Sequence, residues 1–247
     1  TIAMMVGAVA ILRMPWSWAR GYFLEHAWGL STQSASSFFL DWVKGFIITM
    51  VLYTVGFGAV AVMRSLVPAW WPVVSWAIVS ALVVIMVFVW PVLMDPLFHT
   101  FKPVSEKNVL ERVESIAQKA GLEVGEVLWV EASAKTKRTN AYFTGLGATK
   151  RIVLYDTLKR EDGTIDGDRL DEVETILAHE AGHWQHGHMF KGTLLSLLAM
   201  AGFFLVVWLV LRYGPEWLPS GELPVGARIV PLMLLMALLG QMLFMPI

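Results

Sequence analysis

The chain has 247 residues, of which 56% are apolar and only 16% charged, with a mean hydropathy of +0.60. A soluble domain carries about 25% charged residues, so this composition excludes an ordinary water-soluble globule and indicates a membrane protein. The net charge of −1 argues against a nucleic-acid partner, and the absence of cysteine excludes disulfides and thiolate metal ligands.

Uncharged runs mark the spans. Residues 2–12 are apolar but too short to cross a bilayer alone, and read as the end of a span. A signal peptide is disfavoured there, because no basic region precedes the run and Arg13-Met14-Pro15 is not a small-residue cleavage site. Residues 45–63, between Lys44 and Arg64, are long enough to cross. Residues 65–94 carry no charge and hold a third span, with Trp70, Trp71 and Trp90 at its interfacial ends. Residues 192–211 form a fourth span and residues 229–247 a fifth. Twelve Trp and thirteen Met fit an aromatic belt and adaptable packing. Counting spans puts the 13–44 loop and the 95–191 segment on one side. That side holds Arg13, Arg20, Lys44, Lys102, Lys107 and Lys191, which the positive-inside rule assigns to the cytoplasm.

The polar insert has a mixed pattern. Residues 105–120 carry helical apolar spacing at Val109, Leu110, Val113, Ile116 and Ala117, and Gly121 stops that helix. Residues 126–132, 139–145 and 151–155 read as strands, with Gly145-Leu146-Gly147 as a turn. The expected fold is mainly α: a polytopic helical membrane protein with an inserted α+β domain. The expected boundaries are 1–95 for the N-terminal spans, 96–191 for the inserted domain and 192–247 for the C-terminal spans.

Within the insert, His179-Glu180-Ala181-Gly182-His183 reads H-E-x-x-H. On a helix, residues i and i+4 share a face, so both imidazoles can reach one Zn2+. Glu180 lies beside that metal as the general base of a peptidase. Val173, Ile176 and Leu177 lead a helical stripe into the motif, with Asp168 or Asp171 as its N-cap. Gly182 costs helix stability and suggests close packing or a loose helix. A third ligand is required. His186, His188, Glu216 and Glu222 follow the motif, and none is convincing by spacing.

Asn140-Ala141-Tyr142-Phe143 reads as an exposed edge strand to which a peptide can add through main-chain bonds, making Asn140, Ala141 and Tyr142 candidate substrate-binding residues. An ordinary solvated strand end is the alternative. Lys135, Lys137 and Arg138 form a basic cluster that reads as a solvated loop or as an attractor for an anionic head group or substrate carboxylate. His26 and His99 read as structural or interfacial.

These residues resemble the type I CAAX prenyl proteases, integral-membrane, gluzincin-like zinc endopeptidases. The resemblance rests on residues 29–33 with 22–25, Pro96-Leu97-Phe98, residues 137–143 (KRTNAYF), residues 151–158 (RIVLYDTL) and residues 177–184 (LAHEAGHW), and points to a prokaryotic-type member. It implies a zincin domain roofing a helical barrel with an interior chamber. It also implies a multi-pass membrane location, one zinc per chain and a peptide or protein substrate, prenylated in eukaryotic members. The third ligand is then a Glu in an S-R-x-x-E-x-x-A-D type helix after the last span. The sequence reaches Pro246-Ile247 without that helix, so the ligand is expected beyond Ile247, in a chain given in part. Two alternatives stay open: a heat-shock-type membrane quality-control protease, and a non-catalytic membrane scaffold without the third ligand. An intramembrane site-2-type protease is disfavoured, because residues 179–188 are polar.

Overall fold

A computed structural model describes residues 2–121, 125–145, 150–160 and 162–213. The fold is mainly helical. Helix α1 (Ile2–Leu12) is followed by α2 (Met14–Trp18), a π turn at Ala19–Leu24 and α3 (Glu25–Ala27). Together they make a 26-residue helical stretch, long and apolar enough to cross a membrane. The apolar run at 2–12, too short by itself, is therefore part of a longer helical stretch. Pro15 falls in the first turn of α2, where a missing N–H costs little, so the helix resumes at once. Helix α4 (Ala35–Leu66) is the second candidate span. Helix α5 (Trp71–Val89) continues through a π turn at Trp90–Met94, where Pro91 removes a backbone donor, into α6 (Asp95–Phe98).

The polar segment then supplies β1 (Phe101–Pro103), α7 (Lys107–Lys119), β2 (Glu126–Val130), β3 (Ala141–Thr144), β4 (Arg151–Tyr155) and α8 (Gly167–Gln185). Helix α9 (His188–Tyr213) is the fourth candidate span among the described residues. The expected fifth span, the turn at Leu146-Gly147, Glu216 and Glu222 lie outside the described residues.

The chain forms two compact units. One takes in residues up to Pro15, Val43–Val83 and the described residues from Leu194 onward. Its small core holds Val6, Phe57, Val60, Trp71, Phe204 and Val207, so α1, α4, α5 and α9 all contribute. The Trp76 indole donates to the Leu197 carbonyl at 2.9 Å. Outward from this core stand Ile11, Leu12, Ile47, Val51, Val55, Leu195, Leu198 and Leu205, all exposed. In water such a surface would drive aggregation; a bilayer is the solvent it suits.

The second unit comprises Trp16–Trp42 and Val84–Thr193. Its four-stranded sheet has the order β1-β2-β4-β3, with β2 and β4 parallel and the outer pairs antiparallel. Helices α7 and α8 cover one face around Val109, Val113, Ile116, Trp129, Ile152, Leu154, Val173 and Leu177. Gly121 ends the α7 segment at φ +65°, the left-handed conformation that glycine adopts without strain. Residues Trp16–Trp42 pack in the same unit as the polar segment. Leu30 and Thr32 exchange backbone hydrogen bonds with Lys137 and Lys135, and Glu25 takes both oxygens to Arg138.

Candidate metal centre and substrate edge

Helix α8 starts at Gly167 because Asp166, in extended conformation, accepts a hydrogen bond from the Arg169 N–H at 3.0 Å. The cap is thus Asp166 rather than Asp168 or Asp171, both of which lie inside the helix. Val173, Leu177 and Ala181 recur every four residues and are fully or almost fully buried. That stripe fastens the helix to the sheet. At about 100° per residue, His179 and His183 lie roughly 120° or more around the helix from the centre of this stripe, so the packing face and the imidazole face are separate.

The His179 and His183 Nε2 atoms are 3.2 Å apart. Two imidazole nitrogens, each about 2.0–2.1 Å from a tetrahedral zinc, stand about 3.3–3.4 Å apart. The pair therefore suits two corners of a zinc site with almost no rearrangement. On its other side, the His183 Nδ1 is 2.7 Å from His188 Nδ1. A His183 Nδ1–H donated to His188 leaves the Nε2 lone pair free and fixes the ring. In this arrangement His188 meets the ring nitrogen of His183 other than the one that approaches His179. His186 stacks on His188 with centroids 5.7 Å apart. No group of three metal-binding side chains exists among the described residues.

Glu180 is half-buried and stands about 80° around the helix from the mean direction of the two histidines. A Cβ on Gly182 would meet nothing within 4 Å, so close packing among the described residues does not account for that glycine.

Strand β3 is an edge of the sheet among the described residues. Tyr155 N–H donates to the Asn140 carbonyl at 3.0 Å, which makes Asn140 and Tyr155 a hydrogen-bonded pair. Antiparallel pairing alternates, so Ala141 and Phe143 aim their backbone groups away from β4. Asn140 is exposed, and its Oδ1 accepts the Ala141 N–H at 2.9 Å. Ala141 is fully buried against α8. Tyr142 points to the opposite face, beside Tyr155, with ring centroids 6.3 Å apart. Burial, with Asp95 next in effect, raises the Tyr142 hydroxyl well above its usual pKa and keeps it neutral. The three expected residues thus sit together but present different groups.

Two of the three basic residues are already paired. Lys135 reaches Asp41 at 2.6 Å and the Phe98 carbonyl at 2.5 Å, and Arg138 pairs with Glu25. Their charges serve the loop rather than an external anion. His26 is structural, its Nδ1 lying 2.8 Å from the Tyr22 carbonyl.

The model of peptidase family M48 matches residues 103–246, and that of the CAAX prenyl protease N-terminal region, five membrane helices, matches residues 1–100. The chain belongs to peptidase family M48. It is an integral, multi-pass membrane protein, as both the N-terminal match and the four apolar helices require.

An uncharacterised metalloprotease of Bacillus subtilis, YhfN, is 32% identical over 79% of this chain and 45% of its own length. CAAX prenyl protease 1 of Saccharomyces cerevisiae is 28% identical over 76% of this chain and 40% of its own length. The human CAAX prenyl protease 1 homologue is 25% identical over 82% and 50%. The chain thus spans about half the length of these M48 relatives. The crystal structure of Saccharomyces mikatae Ste24p shares the fold, with a TM-score of 0.79 at 22% identity, covering 98% of this chain and 61% of that one. The resemblance read from the sequence motifs is borne out, as is the mainly helical membrane fold.

Proposed function

We propose that the protein is a membrane-embedded zinc metalloendopeptidase that hydrolyses peptide bonds at the α8 face, with the catalytic side toward the cytoplasm. The observation that carries this reading is the 3.2 Å approach of the His179 and His183 Nε2 atoms on one helix face, with Glu180 between them in sequence. His179 and His183 would hold the metal, and a third ligand would come from outside the described residues. Zinc, when bound, supplies Lewis acidity toward the scissile carbonyl and lowers the pKa of a coordinated water.

The protein's own groups supply the rest. Glu180 takes the proton of the attacking water and passes it to the leaving amine. Its freedom from other partners among the described residues suits a base that must both accept and release a proton. The substrate lies extended beside β3, exchanging main-chain hydrogen bonds with Ala141 and Phe143. Asn140 holds the Ala141 N–H through its carboxamide. Rotation of that side chain hands the donor to a substrate carbonyl and leaves the carboxamide free to hold the next peptide group.

The CAAX prenyl protease relatives favour a prenylated peptide as substrate. Cleavage of a prenylated peptide but not of its unprenylated twin supports that choice; equal cleavage of both favours a quality-control role. The test of the catalytic reading is Glu180→Gln in the full-length protein, which keeps zinc and loses peptide hydrolysis. Undiminished hydrolysis refutes it.

A further inference from the structure

Besides the core packing of Ala141, side chains tie helix α8 to the β3 segment near both of its ends. Near the start of each, the Thr139 hydroxyl donates to Glu172 Oε1 at 2.7 Å. Arg169 Nη1 holds the other carboxylate oxygen of Glu172 at 2.8 Å. The Thr139 bond and then the Arg169 bond lower the pKa of Glu172, so the acceptor is charged at neutral pH. Near the end of each, the Phe143 and Trp184 rings meet with centroids 6.0 Å apart.

The positions of these contacts matter. Glu172 precedes His179 by seven residues and His183 by eleven, so its direction differs from each by only about 20° around the helix. It lies on the imidazole face, not on the buried stripe. The helix from Glu172 to Trp184 is about 18 Å long, and His179, Glu180 and His183 all fall within that interval. The strand from Thr139 to Phe143 is about 13 Å long and contains Asn140, Ala141 and Tyr142. Both contacts are made by side chains long enough to cover the difference. The strand is thus tied to α8 by side chains at both ends of the stretch that carries the H-E-x-x-H residues, with Ala141 packed into the core between them.

We propose that Thr139 and Glu172 are positioning residues. With Phe143 and Trp184 at the far end, they hold the peptide-binding edge at a set height over the His179–Glu180–His183 face. The inference rests on the peptidase reading above. A hydroxyl bonded to a carboxylate is short and directional, and Arg169 keeps the carboxylate from swinging away. The aromatic contact at the other end resists rotation of the strand but tolerates sliding. The polar pin therefore sets the register of substrate against metal and base, and its loss acts on the chemical step more than on binding.

The test uses the full-length protein and four variants: Thr139→Val, Thr139→Ser, Glu172→Leu and the Thr139→Val/Glu172→Leu double. With a fluorogenic peptide, Thr139→Val lowers kcat by about tenfold while KM changes less than about threefold. Thr139→Ser restores kcat to within about twofold, and the double variant is no worse than the poorer single, as for two groups acting as one. Zinc content stays at the wild-type level. Hydrogen exchange supplies a readout independent of activity: amides 140–144 exchange several-fold faster in Thr139→Val, and at the wild-type rate in Thr139→Ser. Unchanged exchange and kcat in Thr139→Val overturn the proposal, as does a loss that Thr139→Ser fails to rescue or that multiplies in the double variant. Peptide cleavage retained in Glu180→Gln would instead sink the peptidase reading while leaving the exchange result to judge the pin.

Discussion

Leu177→Ala tests whether the packing stripe of α8 supports the imidazole face without belonging to it. Leu177 is fully buried and lies in the cluster with Val109, Val113, Trp129, Leu154 and Val173. The substitution removes three carbons from a site closed on all sides by the sheet and α7. Leu-to-Ala changes in such cores cost about 2–5 kcal/mol, because transfer and cavity terms add. Neighbours on rigid strands collapse poorly, so a value near 3 kcal/mol is expected. For a protein of this size that lowers Tm by roughly 6–12 °C. Leu177→Met conserves volume and costs less than about 1.5 kcal/mol. Thermal unfolding in detergent reads the shift, and zinc content with cleavage at low temperature reads the site. Because the two faces lie on different sides of the helix, activity per folded, zinc-loaded molecule stays within about threefold of wild type. A Tm drop below about 3 °C, or a full loss of zinc at a temperature where the variant is folded, refutes the separation of packing face from imidazole face.

Two further outcomes follow from the loop and the sheet. Lys135 and Asp41 are largely shielded, with side-chain exposures of 22% and 20%, and Lys135 also donates to the Phe98 carbonyl. Lys135→Met removes this ion pair and the bond to the Phe98 carbonyl, and costs about 2 kcal/mol locally. Trypsin cleavage after Lys137 or Arg138 then accelerates about tenfold or more; a rate within twofold of wild type contradicts the tie. Glu106 is the second case. Burial pushes its carboxyl up, but the bonds from Lys159 at 2.7 Å and Trp129 at 3.0 Å outweigh burial and hold its pKa at about 2, against an ordinary 4.5. A depressed folded pKa gives stability that is complete above pH 4.5 and lost as pH falls toward 2. Glu106→Gln is therefore less stable than wild type at pH 7, by about 1 kcal/mol, and the gap closes between pH 4.5 and 2. A gap independent of pH contradicts the assignment.

The parts of the fold read from sequence were those governed by local periodicity. Uncharged runs gave the second, third and fourth candidate spans among the described residues, because a bilayer demands long apolar helices wherever they occur. The four-residue recurrence of Val173, Leu177 and Ala181 gave α8, and i, i+4 spacing gave the histidine pair. Three residues with a terminal proline, Phe101–Pro103, carry no readable strand pattern; pairing with β2 makes them a strand. Residues 2–12 read as too short to cross alone, yet the helix resumes past Arg13, since proline is harmless in a first turn. Asp166 rather than Asp168 caps α8 because extended backbone, which the sequence does not encode visibly, decides which aspartate can turn back. The basic cluster looked open and is largely paired, through Asp41 and Glu25, roughly a hundred residues away along the chain. The Thr139–Glu172 contact was half legible: the heptad spacing of Glu172 from His179 put it on the imidazole face, but nothing local named its partner on the strand.

The central claim is that Glu180 acts as a base beside zinc held by His179 and His183. The most direct measurement is peptide hydrolysis and zinc content on the same preparation of full-length Glu180→Gln. The account predicts about one zinc per chain, as in wild type, with hydrolysis lowered at least a hundredfold. Hydrolysis at the wild-type rate with zinc in place would contradict it.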